Sequence, residues 1–145
     1  MACAVMAMSM LAGAAQAGDW RLSSVGRQAA IAVDISSVHV EGTRATAWIA
    51  VLMPVTRSGF DYALIRTEYL CDDLISSELI SIRYDARGRE VSRSDVPSAV
   101  FPIAPSSNEK LARDAVCFGK FQMEDPEGWS DAVSLLRDYR TTPPA

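Results

Sequence analysis

An α+β fold, with an antiparallel sheet of about five to six strands packed against one or two C-terminal helices and tied by one disulfide, follows from three observations. Between Trp20 and Val96 the chain is a succession of short β-type runs separated by turns marked with Gly or Pro. Beyond Pro105 the apolar residues recur at helical spacing instead, as far as Tyr139. Cys71 lies in the β-type part and Cys117 in the helical part, so one bridge would tie the two together.

A length of 145 residues with 49% hydrophobic content suits one folded domain. Its net charge of −4 gives the molecule no overall field that would hold it on nucleic acid or anionic lipid, so neither partner is expected.

The N-terminal stretch MACAVMAMSMLAGAAQAG carries no charge before Asp19 and ends in Ala15-Gln16-Ala17. A short apolar run followed by A-x-A is the pattern of a secretory signal peptide, because the processing peptidase accepts only small side chains at those positions. Residues 1–17 therefore read as a leader cleaved after Ala17, residues 18–140 as a single domain, and residues 141–145 as a disordered tail. The leader lacks the usual opening Lys or Arg, which leaves a start upstream of Met1 open. A buried strand or helix is one alternative. An uncleaved anchor is another, although a span needs about 20 strongly apolar residues and this run is short and rich in Ala and Gly. A lipid anchor would need a cysteine at the cleavage site, where Leu11 to Ala14 provide none. The mature chain is thus expected to have no integral membrane span.

Cleavage removes Cys3 and leaves Cys71 and Cys117, and an even count in an exported chain reads as one disulfide. Closing so long a loop restricts the unfolded chain by about 4 kcal/mol. Two buried free thiols remain the alternative. A zinc site needs four ligands, and a chain with one histidine cannot assemble the usual Cys/His sets, so no metal is expected.

Taken in order, WRLSS (20–24) reads as a first strand. In IAVDISSVHVEG, Val38 and Val40 alternate with Ser37, His39 and Glu41, the period of a half-buried strand. Gly42 marks a tight turn into 43–53, which is apolar on both faces from Trp48 to Met53 and so predicts a central strand covered on each side, ended by Pro54. Strands at 60–71 and 74–84 follow, and DARG (85–88) then predicts a type I hairpin turn with Gly88 at positive φ. The prolines of PSAVFPIAP (97–105) mark a connection out of the sheet. SSNEKLARDAVC predicts a helix whose capping box is Ser106 with Glu109 and whose end carries Cys117. A second helix is predicted over 125–139, capped by Asp125 with Pro126 in its first turn and with Trp129, Val133, Leu136 and Tyr139 on one face.

Chemistry is harder to find. There is no G-x-S-x-G and no glycine-rich phosphate loop, and the single imidazole, His39, sits among polar strand residues where solvation explains it. Asp72-Asp73 and Glu124-Asp125 fall at turn or cap positions, and no run of alternating oxygen ligands suits calcium. No catalytic residue and no cofactor is expected, and the protein is not read as an enzyme. One charged constellation stands out: Arg83, Arg89 and Arg93 occupy odd positions of the hairpin and would share a strand face. Guanidinium forks there suit sulfate, phosphate or carboxylate groups, while a solvated edge that discourages sheet pairing is the plainer reading.

VDISSVHVEGTRATAWI, YALIRTEYLCDD, IRYDARGREV and PIAPSSNEKLARDAVC, in that order, resemble the bacterial surface-adhesin protein E-like family over residues 20 to 118. The resemblance implies an antiparallel sheet packed against C-terminal helix, export, a Cys71–Cys117 disulfide and a role in adhesion to host extracellular proteins. The expectation is an exported, non-enzymatic binding module in the periplasm or at the cell surface, with a protein or glycan partner. A periplasmic structural or accessory envelope protein is the alternative. A homodimer through a sheet edge is left open.

Overall fold

The computed structural model describes residues 17–123 and 127–142. In chain order the elements are β1 (Ala17–Val25), β2 (Ala30–Asp34), a 3-10 turn (Ile35–Ser37), β3 (His39–Glu41), β4 (Arg44–Arg57), β5 (Phe60–Leu70), β6 (Ile75–Tyr84), β7 (Glu90–Ser94), β8 (Phe101–Pro102), α1 (Asn108–Phe118), β9 (Gly128–Asp131) and α2 (Ala132–Thr141). The strands form one sheet in the order β7-β6-β5-β4-β2-β1-β9, with β3 added to β4 and β8 to β6. Every pairing between them is antiparallel.

The sheet has nine strands rather than five or six, for three local reasons. The run from Ile31 to Gly42 is not one strand. The Asp34 carboxylate accepts from Ser36 N at 3.1 Å and from Ser36 Oγ at 2.6 Å, which turns the chain at Ile35–Ser37. β3 beyond that turn is exposed along its length, so Val40 faces solvent and is not half-buried. The proline-rich segment does not leave the sheet. It runs down the edge of β6, where Ser98 N donates to Glu78 O at 2.8 Å and Phe101–Pro102 pair with Ile75 and Ser76. The third addition is β9, whose Trp129 pairs with Trp20.

Pro54 does not end β4, which continues to Arg57. The β4–β5 ladder shifts register between Leu52 and Arg57, and a proline is tolerated there because no regular ladder bond is asked of it. The hairpin turn behaves as expected: Gly88 has φ 80°, and its N–H donates to Asp85 O at 3.0 Å. Ala17, assigned above to the leader, is the first residue of β1 and pairs with Asp131. The rest of the leader, Cys3 included, lies outside the described residues.

Strand parity divides the core. Even residues of β2 and β4 (Ala30, Ala32, Ala50, Leu52) join Tyr62, Leu64, Ile82 and Tyr84 on one face, packed against Leu135, Leu136 and Tyr139 of α2. Odd residues (Val33, Ala45, Ala47, Ile49) join Tyr69 on the other face, packed against Ala112, Ala115 and Val116 of α1. The two helices therefore cover opposite faces. Neither is long and apolar enough to cross a membrane.

Both helix starts differ from expectation. Ser107, not Ser106, caps α1, accepting from Lys110 N at 3.2 Å, and Glu109 is drawn away from any capping box by Ser76 Oγ at 2.6 Å. α2 begins at Ala132, because Gly128–Asp131 extend the sheet and place Trp129 on a strand instead of a helix face. Asp131 is its cap, accepting from Ser134 N at 2.8 Å. Asp125 and Pro126 lie outside the described residues. α2 runs to Thr141, one residue into the expected tail, whose last residues, 143–145, lie outside the description.

Candidate functional site

The two cysteines are joined. Cys71, in the turn after β5, bridges to Cys117 near the end of α1, with their Cα atoms 5.6 Å apart. The guanidinium of Arg113 on α1 donates to Cys71 O, pairs with Asp114 at 2.8 Å, and stacks over the Phe118 ring at 5.0 Å. Burial raises the Asp114 carboxyl, but hydrogen bonds from Lys110 and Arg113 outweigh it and leave the group below its ordinary value. This end of the molecule is a structural knot in which most polar groups are committed to one another, although the buried Arg113 Nε has no hydrogen-bond partner among the described residues.

The hairpin arginines do not form the expected patch. Ile82 pairs with Arg93 and Arg83 pairs with Ser92, so Arg93 and Arg83 point to opposite faces of the sheet. A register shift between Arg83 and Tyr84 breaks the odd-number parity, and Arg89 precedes β7. Arg89 is held by Asp85 at 2.7 Å, Arg93 by Glu90 at 2.8 Å and Asp95 at 3.3 Å, and Arg83 lies over the Phe60 ring at 4.8 Å.

Two hollows, each of about 320 Å³, flank α2. Most polar side chains of α2 that reach them are already engaged, the exception being the exposed Arg137, which approaches Asp138 only at 4.0 Å. Asp138 accepts from the Trp129 indole N–H at 2.8 Å, the Tyr139 hydroxyl donates to Gly26 O at 3.0 Å, and Arg140 donates to Met53 O at 3.0 Å and Asp61 at 2.8 Å. Asp61 also accepts from Thr56 Oγ1 at 2.6 Å. Burial pushes its carboxyl up, yet the Thr56 and Arg140 hydrogen bonds and the Arg140 charge bring it below the usual carboxylate range. These groups clamp α2 rather than offer a site.

An uncommitted surface lies elsewhere. α2 has 10 residues, about 15 Å of helix, whereas β4 has 14 residues, about 45 Å of strand, so α2 leaves part of its own face bare. On that remainder the cross-strand rows are Trp48–Arg66–Ile80, then Thr46–Glu68–Ser77, then Arg44–Leu70–Ile75. Trp48 and Arg66 are half-buried. Ser37 Oγ accepts from Trp48 N at 2.9 Å, while the indole N–H has no partner among the described residues. Arg66 reaches Thr46 Oγ1 at 3.4 Å and joins no ion pair among the described residues. Arg44 and Glu68 pair at 2.9 Å, and next to them is a shallow depression of about 80 Å³ lined by Leu70, Ile75, Ser77 and Val100.

None of Trp48, Arg66, Thr46 or Glu68 was singled out as a binding residue from the sequence, where 43–53 reads as covered on both faces. The signal was present: the even positions of β4 change from polar (Arg44, Thr46) to apolar (Ala50, Leu52) at Trp48, and those of β5 from polar (Glu68, Arg66) to apolar (Leu64, Tyr62) at the same level. His39, on β3, remains exposed with Glu41 at 4.0 Å. Asp72 and Asp73 lie exposed in the turn after β5, and Glu124 and Asp125 lie outside the described residues. No group of three metal-ligating side chains occurs among the described residues. Comparison with known proteins returns no matching family model, no matching curated protein and no matching solved structure.

Proposed function

We propose that this chain is an exported binding module that holds a partner at the cell envelope or outside the cell and performs no covalent chemistry on it. The observation that carries the reading is the half of the α2 face beyond the helix, where a half-buried aromatic ring, a guanidinium with no carboxylate partner among the described residues, hydroxyls and a carboxylate stand on three adjacent paired strands. A surface of that mixture is adapted to contact another molecule, because Trp and Arg are the side chains that most often anchor recognition. Export is supported by the Cys71–Cys117 bridge, a bond that persists in oxidising compartments and is rare in the cytosol. Resemblance to the surface-adhesin protein E-like family supports the same assignment.

Fractionation of the native host, with intact-mass analysis before and after reduction, tests it. The expected result is a processed chain in the envelope or medium whose two thiols appear only on reduction, and which protease reaches on intact cells. Protease protection until the outer membrane is opened would favour an accessory role in the periplasm. An unprocessed cytosolic chain with both thiols free would overturn the proposal.

A further inference from the structure

The bare face also carries the chemistry of a ligand class, if the binding-module reading above is right. We propose that it holds a carboxylate-bearing saccharide, with a sugar ring against Trp48 and the carboxylate on Arg66. Three features converge on that class. Trp48 packs in part against the α2-side core and is half-buried, and its indole N–H has no partner among the described residues, so the part of the ring left to solvent is apolar and carries a hydrogen-bond donor. Directly opposite on β5, Arg66 has no carboxylate partner among the described residues, and an unpaired guanidinium fork is matched by a carboxylate. One row further on, Glu68 and the hydroxyls of Thr46 and Ser77 face the same way.

That last row separates a sugar from an acidic peptide. Glu68 is paired with Arg44 at 2.9 Å, so the pair offers both donors and an acceptor to sugar hydroxyls, whereas a run of carboxylates would have to compete with Glu68 for Arg44. A saccharide brings its anion to Arg66 and presents hydroxyl donors to Glu68, with Thr46 and Ser77 able to donate or accept. The depression beside Leu70 and Ile75 continues the same surface, so a ligand longer than one ring remains in contact. Strand pairing on both sides of β4 and β5 fixes these side chains before binding, which lowers the ordering cost of a weak polar ligand.

The test is calorimetric titration of the oxidised mature chain with oligosaccharides that each carry a single galacturonate, glucuronate or sialic acid residue, a neutral glucan of equal length, and polyglutamate. At least one carboxylated sugar should bind about tenfold more tightly than the neutral glucan, a ratio that Arg66→Gln should abolish. Trp48→Phe should weaken carboxylated and neutral sugars alike. Should either variant fail to fold, the indole N–H resonances of the wild-type chain decide, since Trp48 must shift on titration while Trp20 and Trp129 do not. Absence of binding to all three carboxylated sugars, an unaltered ratio in a folded Arg66→Gln chain, or tighter binding of polyglutamate would each overturn the assignment. A chain that is exported and surface-exposed but binds none of the sugars refutes this ligand class alone, whereas a cytosolic chain refutes the parent reading.

Discussion

α1 and α2 have nearly equal lengths and lie on opposite faces of one sheet, yet they are retained by different physics. The buried residues of α1 are Ala112, Ala115 and Val116, side chains too small to supply much apolar area. α2 buries Leu135, Leu136 and Tyr139 together with Ala132, and each leucine contributes about 2 kcal/mol through removal from water. The helix with the weaker hydrophobic hold is the one given a covalent bond to the sheet, Cys71–Cys117. The helix with the stronger hold has no such bond and is oriented by a hydrogen-bonded ion pair, Arg140 with Asp61. A bridge in this fold thus compensates for an underfilled helix face; it does not reinforce one already well packed.

Breaking the bridge should therefore have the largest effect and should act on α1. The paired substitution Cys71→Ser with Cys117→Ser is expected to cost about 4 kcal/mol, the loop-closure value for a cross-link of this span. Urea denaturation of the oxidised and double-serine chains measures it, and hydrogen exchange should show α1 amides opening well before those of α2. Equal opening of both helices would refute the division of labour.

Arg140→Met is the matching lesion on the other face and is expected to cost about 3 kcal/mol, because it leaves Asp61, with a side chain only 7% exposed, without its cation. Adding Asp61→Asn to Arg140→Met should recover part of the loss, since most of it is the penalty for an unpaired buried charge. A double variant no more stable than the single would show that the loss is not the penalty of an unpaired charge.

The same carboxylate gives the comparison a pH dependence. The Asp61 pKa is lowered in the folded state, so the unfolded chain takes up its proton first as acid is added. The stabilisation is complete above the unfolded value of about 4 and is lost as pH falls through the lower folded value. Asp114 on α1 shares the direction of shift, but α1 remains tethered when its carboxylate is protonated. Acid should therefore release α2 before α1, as read by exchange along the two helices, and Asp61→Asn should flatten the α2 response. Loss of α1 first would contradict this order.

The parts of this architecture that were legible in the sequence are those written in adjacent residues. Asp85-Ala86-Arg87-Gly88 is a complete turn, and the two cysteines need only be counted. The apolar run from Trp48 to Met53 is long enough to mark a strand at the centre of the sheet. What escaped depends on partners distant in sequence. Glu109 has capping-box spacing, but Ser76, on β6, competes for its carboxylate. Trp129 has helical spacing to Val133, but β1 offers it a strand to pair with. The Arg83, Arg89 and Arg93 alignment assumed unbroken parity, which the register shift in the β6–β7 ladder removes. The bare face was hidden for a related reason: alternation within β4 shows which residues share a side of the sheet, but not how far a ten-residue helix reaches along it.

The smallest effect concerns how the helices end, and it separates them once more. α1 closes on Gly119 in the left-handed region (φ 64°, ψ 24°), with Gly119 N donating to Ala115 O at 3.0 Å and Lys120 N to Asp114 O at 3.2 Å. α2 ends on Thr142 at φ −121°, without that reversal. Gly119→Ala should cost about 1 kcal/mol, because a Cβ in the left-handed region meets its own backbone even though the space around Gly119 is open. Gly119→Asn should recover much of this, since asparagine tolerates the conformation. With Cys117 two residues away and bridged to Cys71, the backbone cannot escape the strain by fraying the last turn, so the penalty should be expressed in full in the oxidised chain and diminish on reduction. Thermal unfolding of the three chains in both redox states measures the difference, and a penalty indifferent to reduction would mean that the bridge does not hold the end of α1 in place.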